Sequence, residues 1–150
     1  MIVHFYDYMD DHLLNFAVII AKHGDKWVLC KHKERNSYQF PCVRREAGET
    51  IQAAVTRKLL EETGAIRFDL SSLCAYSVTG KNIVNTAEIE TFGMLYAADI
   101  QTFALNSSSE TEQIKLFDTL PEAPPYPRIQ SALFQEYLRR INACNRIDLY

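Results

Sequence analysis

Glu46, Glu49, Arg57, Lys58, Glu61 and Glu62 crowd one short stretch, REAGETIQAAVTRKLLEETGAI (residues 45–66). Helical residues turn by about 100° each, so positions 58, 61 and 62 share a broad face. Glu61 and Glu62 are therefore expected to point toward a common site, with Glu49 entering from the loop before the helix. Arg57 lies one turn before Glu61 and can hold a carboxylate in a fixed orientation through a forked hydrogen bond. Hard oxygen ligands of this kind suit Mg²⁺ or Mn²⁺, which keep some water and take phosphate oxygens in their remaining positions. The plainer reading is a solvated helix face, since Lys58–Glu62 and Arg57–Glu61 both have i,i+4 spacing.

The elements that must position these residues are legible on either side. Thr50 is a plausible N-cap; Ile51, Val55 and Leu59 repeat at helical spacing, and Gly64 suits the C′ position. Upstream, the apolar run Phe16 to Ala21, the turn His23-Gly24-Asp25 and the run Trp27 to Cys30 read as a hairpin. Lys31 to Ser37 is a charged loop, and Tyr38 to Phe40 is a short strand stopped by Pro41. The first ten residues could add an edge strand. Downstream, Leu70 to Val78 and Ile89 to Ala97 read as strands joined through the turn at Thr79-Gly80-Lys81-Asn82, and Gln113 to Phe117 as a last strand. Asn106 to Thr111 is a polar loop, and PEAPPYP (121–127) is a stiff connector. Ile129, Leu133, Tyr137 and Ile141 then mark a second helix. One helix inside the strand series and one after it predict an α/β (α+β) domain with a mixed sheet covered on both faces.

A chain of 150 residues, 47% hydrophobic, is long enough for a single domain, 1–150, with a sizeable core. A net charge of −3 offers no basic field for long nucleic acid, so a small anionic substrate must be met locally by Lys, Arg or a metal. Cys30, Cys42, Cys74 and Cys144 form no C-x-x-C pair, which reads as free thiols in a reducing compartment. Cys42 has no histidine near it in sequence, which argues against a thiol nucleophile. His4, His12, His23 and His32 are scattered without metal-ligand spacing. The N-terminus lacks a basic region and a long apolar run, and no segment approaches the ~20 apolar residues of a membrane helix, so a cytoplasmic protein is expected.

The stretch from Phe40 to Ile66 resembles the Nudix box, G-x5-E-x7-R-E-U-x-E-E-x-G-U, where U is a bulky aliphatic residue. Glu49, Arg57, Leu59, Glu61, Glu62 and Gly64 stand at its spacings, and the strand order on both sides is similar to the Nudix α/β/α sandwich. The resemblance implies hydrolysis of a nucleoside diphosphate linked to another group, dependent on Mg²⁺ or Mn²⁺. It further implies Glu61, Glu62 and the Cys42 carbonyl as metal ligands, and Glu49 and Arg57 as orienting groups. Lys31 matches a position at which relatives hold a substrate phosphate. Tyr38 and Phe40 could stack on a base, with core packing as the default. The short single domain resembles the MutT-like branch. A modified nucleoside triphosphate is thus one candidate substrate among ADP-ribose, dinucleoside polyphosphates and nucleotide sugars. A homodimer through the N-terminal segment or a sheet edge stays open.

Departures from the pattern are informative. The usual Gly-Gly after the proline is Cys42-Val43, and β-branched Val43 resists positive φ, so a shifted loop is expected. Lys58 replaces a box glutamate that serves relatives as metal ligand or general base. At ~6 Å and an effective dielectric of ~20, one unit-charge interaction is worth about 3 kcal/mol, so the reversal works against multi-metal binding. Either Lys58 swings aside to pair with Glu62 or touch substrate phosphate, with Glu46, Glu49, Glu110 or Glu112 as base, or the chain is a catalytically impaired nucleotide-binding or sensor module.

Overall fold

The computed structural model describes residues 2–31, 37–80, 89–104, 113–120 and 128–148. Glu110, Glu112, the polar loop at 106–111, the connector at 121–127 and half of the 79–82 turn lie outside them. The strands are β1 (Ile2–Tyr6), β2 (Phe16–His23), β3 (Lys26–Lys31), β4 (Tyr38–Gln39), β5 (Cys42–Arg44), β6 (Ala65–Thr79), β7 (Thr91–Phe103) and β8 (Gln113–Phe117). Helix α1 (Ile51–Lys58) runs into a π-helical turn at Leu59–Thr63, and α2 spans Arg128–Asp148. A short 3₁₀ turn occupies Asp11–Leu13.

The sheet runs β1-β6-β7-β2-β3-β4, with β5 also paired to β2 and β8 to β3. It is mixed, as expected, because β2 runs parallel to β7 from Phe16↔Gly93 to Lys22↔Asp99 while its other partners are antiparallel. The parallel pair buries β2 on both faces, which explains its unbroken apolar run. Alternation sends Ala17, Ile19 and Ala21 to one face, where Ile51, Ala54, Val55 and Leu59 of the α1 segment cover them. Val18 and Ile20 turn to the other face and pack with Leu133 and Tyr137 of α2.

Several elements outgrow their predicted bounds. β6 begins immediately after Gly64, whose φ of 75° lets the chain reverse out of the helix. Its first half alternates exposed and half-buried residues, a weaker signal than the apolar Leu70 to Val78. α2 continues to Asp148 because no Gly or Pro interrupts it. Cys42-Val43 does not form the shifted loop expected from a β-branched residue. Val43 pairs with Ala17 in β5 and is buried, so the same stiffness favours a strand.

Candidate active site

The junction of the loop with α1 is fastened by one local and one distant acceptor. Thr50 Oγ1 accepts from the Ala53 amide at 3.1 Å, as its N-cap position predicts. A second acceptor comes from far away in sequence: Asp11 Oδ1 takes the Ile51 amide at 3.1 Å. Asp11 is itself held by Arg45, whose Nη1 donates to Asp11 Oδ2 at 2.9 Å and to the Asp11 carbonyl at 2.7 Å. Neither Asp11 nor Arg45 stood out in the sequence, because no local pattern links positions so far apart.

Arg57 forms the hub of the loop–helix junction. Its Nε donates to Glu49 Oε2 at 2.8 Å and its Nη2 to Glu49 Oε1 at 3.0 Å, the forked geometry expected of Arg57, made here to Glu49 rather than to Glu61 one turn on. Nη1 lies 3.8 Å from Glu46 and 3.5 Å from Glu61. The Glu46 amide donates to Glu49 Oε1 at 2.9 Å, and Gly48, at φ 84°, makes the turn between them. The hydrogen bond from Arg57, seconded by that amide, pulls the Glu49 carboxyl down to about 2. The same fork raises the Arg57 pKa. Glu49 is accordingly a fixed anion and a weak base, suited to orientation.

Glu61 and Glu62 diverge. The Glu61 side chain is 61% exposed beside Arg57, whereas the Glu62 side chain is fully buried, with Lys58 Nζ 3.6 Å from its Oε2. Successive residues project about 100° apart. A π turn begins at Leu59, widening the helix where both carboxylates sit, a feature recurrent at functional sites. Among the described residues no group of three or more His, Cys, Asp or Glu side chains is placed to hold a metal ion by itself. The donors still have the right chemistry for a hard cation that draws its remaining ligands from water and phosphate.

Other anticipated residues lie elsewhere. Lys31 pairs with Tyr38 across β3 and β4, and two-residue alternation puts Lys31 on the face of Leu29, opposite the face that α1 covers. The Tyr38 ring meets Phe117 edge-on at 5.4 Å, and Lys115 Nζ sits 5.9 Å from its centroid. Lys115 is a basic neighbour of Tyr38 that the sequence reading missed, since it lies far along the chain and arrives only through the β3–β8 pairing, where it stands opposite Leu29. Phe40 is wholly buried, stacked near Phe134 at 5.9 Å, and both its backbone groups bond the Gln130 amide. Its ring packs the core, the default reading. Cys42 is half-buried in β5, and burial pushes the Cys74 thiol up to about 11, as suits an inert core thiol.

A family profile described as the NUDIX domain matches residues 11–136. The fold is similar to a mutant of the Bacillus subtilis pyrophosphohydrolase BsRppH, with a TM-score of 0.78 and 27% identity over 95% of this chain and 90% of that one. It is also similar to a MutT NUDIX hydrolase from Burkholderia pseudomallei, with a TM-score of 0.55 and 17% identity over 80% and 94% of the two chains. A UDP-X diphosphatase matches with a TM-score of 0.57 and 13% identity over 88% and 64%. No protein of curated function matches the chain.

Proposed function

This chain belongs to the Nudix family of hydrolases acting on phosphoanhydrides, and we propose that it cleaves a nucleoside diphosphate linked to another group, in the manner of a pyrophosphohydrolase. The observation that carries this reading is the Glu49–Arg57 fork, which locks the box loop onto the helix bearing Glu61 and Glu62. The family resemblance implies Glu61, Glu62 and the Cys42 carbonyl as donors to a divalent cation, Mg²⁺ or Mn²⁺; the exposed Glu61 is the donor open to it, and the buried Glu62 would join it only on turning out from Lys58. When bound, the cation offsets charge on the phosphate oxygens and makes water more acidic.

The remaining chemistry falls to the chain's own residues. Water adds to one phosphorus, the bridging P–O bond breaks, and a carboxylate takes the proton lost by water. Glu49 is too weak a base in its Arg57 fork, which leaves Glu46, 71% exposed at the loop, as the better acceptor of the two. Lys58 supplies a positive charge beside Glu62, where the box pattern has a glutamate. Lys31 and Tyr38, with Lys115, form a basic and aromatic patch suited to a substrate phosphate or base. A small nucleotide-derived substrate fits both the reaction and the net charge of −3.

The test is release of phosphate or pyrophosphate from a nucleotide panel with Mg²⁺ or Mn²⁺. Glu61→Gln and Glu62→Gln should each cut kcat/KM by about 100-fold or more. Turnover of no panel member, with nucleotide binding retained, would overturn the reading in favour of a binding module. Lys58→Glu decides the lysine's part: gained activity marks it as a brake, and lost activity marks it as recruited.

A further inference from the structure

β1 covers only the last part of β6, from Ala75 to Thr79. Past that point the Arg140 guanidinium reaches the Leu73 carbonyl at 3.4 Å and Asp7 at 3.2 Å, closing the edge there. From Ile66 to Ser72 no strand lies on the outer side of β6 among the described residues. An open strand edge presents unpaired amides and carbonyls to any strand that can align with it.

The side chains along this edge are sorted by face. Phe68 and Leu70 lie against the core cluster under α1, half-buried. Arg67 and Asp69 point to the other face and are exposed. Phe68 to Ser72 pair with β7 without interruption, and beside Arg67 the pairing slips once on each strand, leaving Ile66 of β6 and Gln101 of β7 unpaired, so that the register is the same on either side. Gln101 Nε2 donates to Asp69 Oδ2 at 2.8 Å, holding that carboxylate over the strand.

We infer that β6 pairs antiparallel with β6 of a second copy about a two-fold axis at Phe68. A continuous sheet needs residues of like facing opposite each other, so a two-fold register must centre on a residue. Centring on Phe68 sets Arg67 opposite Asp69 of the other copy, twice over. Centring on Arg67 or Asp69 would set like charges together. The same register brings the two Phe68 rings face to neighbour and flanks them with Leu70 from each copy, giving an apolar stripe beneath the ion pairs. Charge on an edge ordinarily wards off pairing; here its order is self-complementary.

Light scattering across a concentration series, with sedimentation to obtain the dissociation constant, tests the register. The unaltered chain should be a dimer. Arg67→Asp and Asp69→Arg should each raise the dissociation constant by about tenfold or more, since each turns two attractive pairs into repulsive ones. The double variant Arg67→Asp/Asp69→Arg should restore the dimer. Circular dichroism and hydrolase activity should stay at the level of the unaltered chain in all three, because neither residue touches the box. A monomeric chain, single variants that remain fully dimeric, or a double variant that stays apart would each overturn the inference. The dimerisation outcomes do not depend on the hydrolase reading.

Discussion

Arg57 and Lys58 are neighbours, each with a glutamate four residues on, yet they serve different regions. Around Arg57, the loop–helix junction is partly open to water and three carboxylates share one guanidinium. Around Lys58, the ammonium faces a carboxylate with no exposed side-chain surface. Identical spacing therefore has different weight. At the junction the planar fork fixes direction, and water screens much of the charge. At the π turn Glu62 has lost most of its hydration, and the nearby cation compensates a desolvation cost.

The largest break in that comparison comes from Lys58→Met. Removing one partner of a buried pair is costly, and with Lys58 a quarter exposed the loss should be about 2–3 kcal/mol of unfolding free energy. Chemical denaturation without divalent ions measures it, and an unchanged midpoint would show that Lys58 does not support Glu62. Arg57→Lys keeps the charge and discards the fork. It should cost about 1 kcal/mol, and about tenfold in kcat through loss of orientation rather than in KM.

The smallest effect is a titration. The folded-state pKa of Glu49 is depressed to about 2 from 4.5, so its contribution is present above 4.5 and lost as pH falls toward 2. Stability should decline over that window. In Arg57→Lys the carboxyl resonance of Glu49 should titrate closer to its ordinary value by NMR. An unmoved midpoint would mean that the Glu46 amide, not the fork, holds the anion.

Legibility followed distance along the chain. The Thr50 cap, the Ile51, Val55 and Leu59 stripe and Gly64 all lie within one loop and helix, where spacing alone restricts geometry, while the partner of the Arg57 fork, Glu49, was not read from spacing. The divergence of Glu61 and Glu62 was not legible there, since a straight helix projects both toward one broad face. It is the π turn and the packing of Leu59 and Glu62 beneath the helix that separate them. Phe40 was ambiguous because an aromatic after a strand serves a base or a core equally well, until Gln130 and Phe134 of α2 closed over it.

By itself the sequence determined the box, the family and the alternation of elements around them, because helix caps, apolar periods and carboxylate spacing act over a few residues. Tertiary structure alone decided that β2 lies parallel to β7, that Asp11 caps α1 from 40 positions away, and that Lys115 comes over the Tyr38 ring. Those contacts depend on which strands lie side by side. That choice is made by burying two apolar faces at once, a property of the whole sheet and of no single segment.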